Sequence, residues 1–194
     1  MGAFVVFSYF VHKNLFYSID FDTTVRLQDK ISRRFDFPFS IFSILGSSEV
    51  TVLLIGIVFL TVLIKRRHFF LGIIMFFLMY GFELFGKFFV YHPGPPFMFL
   101  RYDLGFLFPS SYVSTKYSYP SGHTARTIFL GILFLYILTN IKSPKIKGIL
   151  SILIVMFMAT MIVSRVYLGE HWSSDVVGGI LLGASMSSLA IAFW

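Results

Sequence analysis

A chain of 194 residues that is 57% hydrophobic, 20% aromatic and only 13% charged does not read as a soluble domain, which carries about 25% charged residues. It reads as one bilayer-embedded domain covering residues 1–194, and the absence of cysteine excludes disulfides and thiolate-held metal. The formal net charge of +7 lies largely in short breaks between apolar runs, with no basic-aromatic strip, which suits membrane topology and anionic headgroups and argues against nucleic acid.

Met1 to about Phe16 is apolar and Phe-rich, interrupted by His12 and Lys13. It lacks a basic leader and a small-residue cleavage site, so a first membrane helix is expected over a signal peptide. From Asp20 to about Phe37, Leu27, Ile31 and Phe35 recur every four residues with Arg26, Lys30, Arg33 and Arg34 between them. That pattern predicts an amphipathic helix lying in the interface and stopped by Pro38. A second membrane helix is expected from about Ser48 to Ile64, ending at Lys65-Arg66-Arg67-His68, and a third from Phe69 to about Val90. The third carries Glu83 and Lys87 four apart, a spacing that allows an ion pair.

His92-Pro93-Gly94-Pro95-Pro96 cannot be helix. A long loop from Phe97 to Tyr119 follows. Pro120-Ser121-Gly122-His123 opens a fourth helix running to about Ile141, and a basic turn at 140–147 leads into a fifth, about Gly148 to Ser164. The sixth runs from about Asp175 to Trp194. The expectation is an all-α bundle of six membrane helices with an interfacial helix near its N-terminus.

The basic turns at 65–68 and 142–147 end helices two and four, so the positive-inside rule puts both in the cytoplasm. Helices three and five then end, and four and six begin, on the outer side. Those four ends carry Lys87, Ser121 with His123, Arg165, and His171 with Asp175. Hydropathy, charge and parity alone therefore bring segments distant in sequence to one face.

The residue types gathered there match phosphate transfer. His171 and Asp175 are four apart, on one face of a helical turn, and a carboxylate fixes an imidazole's ring and tautomer. One histidine can attack phosphorus while the other protonates the departing oxygen. Lys, Arg and the amides of a helix start can hold the phosphoryl oxygens, and Pro120-Ser121-Gly122 provides a capping serine and a glycine that lets backbone approach an anion. Trp172 reads as an interfacial anchor, and Phe76-Phe77 and Phe88-Phe89 as lipid-facing or packing residues.

The motif Pro120-Ser121-Gly122-His123, followed by Ser164-Arg165, five residues, His171, three residues and Asp175, resembles the second and third motifs of the type 2 phosphatidic acid phosphatase (PAP2) family of membrane lipid phosphatases. The resemblance extends from about Ser43 to the C-terminus. It implies that His171 is the nucleophile, Asp175 its orienting partner and His123 the general acid, with Ser121, Gly122, Arg165 and Lys87 binding phosphate and no metal or cofactor required. The family's first motif is Lys, six residues, Arg, Pro; here Lys87 is followed at that spacing by Gly94-Pro95, so the arginine is missing. Arg126, Arg101 and His92 are candidates to replace its charge.

The expected activity is hydrolysis of a lipid phosphate or diphosphate, of the undecaprenyl diphosphate, phosphatidic acid or phosphatidylglycerol phosphate type, on the outer face of a prokaryotic inner membrane. The alternatives are phosphotransfer to a lipid or sugar hydroxyl through the same phosphohistidine, and a non-catalytic lipid-phosphate binder.

Overall fold

The computed structural model describes residues 1–63, 70–105 and 116–192. Among them the regular structure is entirely helical: α1 Gly2–His12, α2 Tyr17–Lys30, α3 Asp36–Ile44, α4 Ser48–Leu63, α5 Phe70–Phe89, α6 Gly122–Leu138, α7 Pro144–Tyr167 and α8 Ser173–Ala192, with 3-10 turns at Arg33–Phe35 and Phe97–Phe99. The basic turn at 65–68 and much of the loop before Pro120 lie outside the described residues.

Helix α6 is the axis of the bundle. Its segment from Thr124 to Gly131 is buried without interruption, and it packs between α7 and α8. The contact with α8 is backbone to backbone. A Cβ on Gly179 would stand 2.5 Å from the Ser121 carbonyl oxygen, and one on Gly183 would stand 2.4 Å from that of Ala125. Two glycines four apart thus let the helices approach more closely than any side chain allows, the way small residues join helices in lipid. Phe76, Phe129, Met79 and Leu182 fill the core around this contact.

Outward-facing residues have the opposite character from a soluble surface. Helix α7 exposes Ile149, Ile152, Leu153, Val155 and Met156, and its 24 residues reach about 36 Å at 1.5 Å per residue. Phe77, Phe88 and Phe89 also face outward, while Phe76 is fully buried. Three helices are long and apolar enough to cross a membrane, within Gly72–Phe89, Pro144–Tyr167 and Ser173–Ala192. A bent pair, Arg33–Ile44 with Ser48–Ile57, makes a fourth if counted as one span, and Gly2–His12 and Gly122–Leu138 are apolar but shorter. The protein is an integral membrane protein with three to four such spans among its described residues, fewer than the six expected.

The N-terminal region departs from expectation in two ways. Pro38 does not end a helix; it lies in the first turn of α3, where a missing N–H costs nothing because the first amides of a helix have no internal partner. The break comes earlier, at Ile31 and Ser32, both with extended backbone. Helix α2 also does not present all its polar residues to solvent: Asp20 and Thr24, one turn apart, are buried against α7 and α8.

Candidate active site

Four connections meet at one end of the bundle: the end of α5, the start of α6, and the α7–α8 and α3–α4 links. Helix α7 ends on Leu168, followed by Gly169 with φ +69°. A Cβ there would lie 2.1 Å from the Phe99 carbonyl oxygen, so glycine is required both by conformation and by space. This turn carries the chain into Glu170, His171 and Trp172, and the His171 amide donates back to the Arg165 carbonyl at 3.3 Å. Helix α8 then begins at Ser173. Across the bundle, the Ser121 amide donates to the Asp175 carbonyl at 3.0 Å, tying the start of α6 to the start of α8.

Asp175 is fully buried. Its Oδ2 lies 3.3 Å from His171 Nδ1 and accepts the Trp172 amide at 3.0 Å. Because Nδ1 faces the carboxylate, Nε2 is the nitrogen left to act. Burial lowers the His171 pKa from its usual value of about 6.5, more than the hydrogen bond and charge of Asp175 raise it; the Lys87 and Arg165 cations lower it further. The ring is therefore neutral at neutral pH, the state a nucleophile needs.

Around this pair stands a set of cations. His123 lies within electrostatic reach of Arg165, Arg126, His171 and Lys87, and its ring sits beside Gly46 and Met161. Arg165 has no exposed surface; it donates to Ser43 Oγ at 2.7 Å and pairs with Glu170. Lys87 Nζ lies 3.2 Å from Glu83 Oε1, the ion pair expected from their spacing. Arg126 donates to the other Glu83 oxygen at 2.8 Å and to the Gly46 carbonyl at 3.2 Å. The Glu83 carboxylate rests directly over Gly122, where a Cβ would fall 1.9 Å from Oε1. Two carboxylates, Glu83 and Glu170, thus engage these cations.

Of the candidates for the missing first-motif charge, Arg126 shares Glu83 with Lys87. Arg101 instead stacks on the Tyr167 ring, 5.1 Å from its centroid. His92 stands behind Asp175, its Nε2 3.7 Å from Asp175 Oδ1, on the side away from His171. Ser121 occupies the N-cap position of α6 without a side-chain cap; its Oγ accepts from the Thr124 hydroxyl at 3.1 Å. Trp172 is not an interfacial anchor, since only 3% of it is exposed; its Nε1 donates to the Pro93 carbonyl at 2.8 Å and its ring meets Phe99 edge-on.

Sequence reasoning missed Asp20, Ser174, Ser43 and Gly46. Asp20 and Thr24 share a helical face, which was a readable signal. Ser43 and Gly46 had none, because their role comes only from where the α3–α4 link is folded. Among the described residues, no group of three or more His, Cys, Asp or Glu side chains is arranged to hold a metal ion.

Comparison with known proteins agrees with the motif reading. An undecaprenyl-diphosphatase of Sulfolobus acidocaldarius is 43% identical over 77 residues, which cover 40% of this chain and 34% of that protein; the match spans only about a third of the relative's length. The fold is similar to that of a PAP2-type phosphatidylglycerolphosphate phosphatase of Bacillus subtilis, with a TM-score of 0.73, 21% identity and coverage of 98% of this chain and 91% of that one. It is also similar to LpxE of Aquifex aeolicus, with a TM-score of 0.60, 20% identity and coverage of 90% and 96%. The profile of the PAP2 superfamily matches residues 67–194, well over half of the sequence and every one of the motif residues named above, and the chain therefore belongs to the PAP2 superfamily.

Proposed function

We propose that the protein is a metal-independent lipid phosphatase that works through a phosphohistidine on His171. The observation that carries this reading is the buried His171–Asp175 pair, with Nδ1 on the carboxylate and Lys87, Arg165 and His123 within electrostatic reach of the ring. The Nε2 lone pair attacks phosphorus; the bond from phosphorus to the lipid oxygen breaks, and that oxygen takes a proton from His123. Water then attacks phosphorus, returns a proton to His123, and the P–N bond breaks to release inorganic phosphate and restore neutral His171. Arg165, Lys87, Ser121 and the Gly122 amide hold the phosphoryl oxygens, displacing Glu170 and Glu83 from the cations as substrate enters.

A lipid substrate is supported by an apolar cavity of about 360 Å³ between α4, α6 and α7, lined by Thr127, Leu130, Gly131, Phe134, Ile154 and Phe157 among others. Thr127 is one helical turn along α6 from His123, so a chain in this cavity runs toward the phosphate site. The sequence relation to an undecaprenyl-diphosphatase favours a polyprenyl diphosphate. In this reading α1, α4, α5, α6, α7 and α8 make six spans of one domain, α2 lies at the interface, and the site faces outward from a prokaryotic inner membrane, opposite the basic start of α7 at Lys142, Lys145 and Lys147.

The test is phosphate release in detergent from undecaprenyl diphosphate, phosphatidic acid and phosphatidylglycerol phosphate, with and without a strong chelator. Wild type is expected to release phosphate, fastest from the diphosphate and unaffected by chelator, and folded His171→Ala to release none. Turnover by His171→Ala refutes the mechanism. Binding without turnover by wild type makes the protein a binder, and transfer of phosphate to an added acceptor hydroxyl in place of water makes it a phosphotransferase.

A further inference from the structure

The buried polar groups on the far side of Asp175 form a connected set that the chemistry above does not use. Asp20, from α2, is 1% exposed and accepts three hydrogen bonds from the start of α8. Its Oδ1 takes the Ser173 hydroxyl at 2.6 Å and the Ser174 amide at 2.7 Å, and its Oδ2 takes the Ser174 hydroxyl at 2.7 Å. Ser174 Oγ also lies 2.9 Å from His92 Nε2. A hydroxyl has one proton, and an ionised carboxylate can only accept, so that proton points to Asp20. Ser174 must then accept from His92, and the His92 proton is on Nε2.

The same Nε2 atom lies 3.6 Å from Asp20 Oδ2 and 3.7 Å from Asp175 Oδ1, a buried oxygen with no hydrogen-bond partner among the described residues. His92 Nδ1 is likewise buried and unpartnered.

We propose that Asp20 and His92 are positioning residues for Asp175: Asp20 orients the Ser174 hydroxyl, Ser174 fixes the His92 tautomer, and the His92 ring edge packs beside Asp175 Oδ1 while Oδ2 holds His171. The role rests on His171 being the nucleophile. When that ring becomes cationic on bonding to phosphorus, Asp175 must keep a fixed orientation, and a ring locked against its other oxygen holds it there. Asp20 lies outside residues 67–194, which the family profile matches, and reaches the catalytic end from α2.

The experiment measures kcat and KM for lipid phosphate hydrolysis, together with the thermal midpoint in detergent, for Asp20→Asn, His92→Phe, His92→Gln and Asp20→Asn/His92→Phe. Asp20→Asn and His92→Phe are expected to lower kcat by roughly 10- to 100-fold, the usual scale for a partner that orients a reacting group, with KM within about twofold. His92→Gln keeps a donor near the Nε2 position and recovers most of the loss. The double variant is no slower than the slower single one, because both act through Asp175. Unchanged kcat in folded Asp20→Asn and His92→Phe, a change confined to KM, or equal damage from His92→Gln and His92→Phe overturns the proposal. Should Asp20→Asn not fold, the pair of His92 variants decides alone. His171→Ala run alongside separates the two levels: turnover there sinks the phosphohistidine reading, whereas a dead His171→Ala beside fully active Asp20→Asn and His92→Phe sinks only this one.

Discussion

His171 and Gly122 show most directly how the surroundings of single residues set what this site can do. Burial holds the His171 pKa below its usual value of about 6.5, so acid protonates this ring only when the pH falls under that value. The acid limb of kcat/KM, which reports groups of the free enzyme, is expected to have its midpoint below 6.5; a midpoint at or above it contradicts the burial argument. The same inequality makes the fold lose stability below about 6.5, because the unfolded chain takes up the proton first. Gly122 is fixed by what lies above it. In Gly122→Ala the new methyl would strike the Glu83 carboxylate, which is held by Lys87 and Arg126 and cannot yield without moving both cations. A displacement of about 1 Å at such a site costs on the order of 100-fold in rate, and an assay of this variant showing wild-type kcat/KM would mean that the cations do not act where Gly122 meets them.

At the scale of elements, the apolar runs were legible because a membrane helix needs little beyond length and hydropathy. The helix ends were legible because proline, glycine and charge punctuate them, as at Pro144, which opens α7 behind the Ser143 cap. What misled was the N-terminal region, where two principles competed. A proline at position 38 reads as a stop, yet the chain had already broken at Ile31, and there Pro38 serves as a start. Asp20 only marks the start of the expected interfacial helix, and it is buried because three hydrogen bonds from α8 compensate it. The α6–α8 contact was also invisible, since glycines in an apolar run carry no signal of which neighbour they admit. Its test is Gly183→Val. The added Cβ would collide with the Ala125 carbonyl, and backbone cannot swing aside, so a loss of about 1–3 kcal/mol is expected, read as a lower thermal midpoint in detergent. An unchanged midpoint would show that the helices have room to part.

For the whole molecule, the convergence of Lys87, His123, Arg165 and His171 on one end followed from counting helices and charged turns, before any coordinate. The same logic could not say which carboxylates would sit among those cations, because Glu83 and Glu170 act through packing rather than through motif spacing. Lys87 of α5 and Arg126 of α6 are joined through Glu83, a pairing between helices that the first motif, without its arginine, does not announce. The central claim is that this convergence assembles a nucleophile, and trapping the phosphorylated protein tests it most directly. Protein quenched in alkali during turnover of a phosphorus-labelled lipid phosphate is expected to carry acid-labile, alkali-stable label on His171, absent from His171→Ala. Label on any other residue, or steady hydrolysis by His171→Ala, would contradict it.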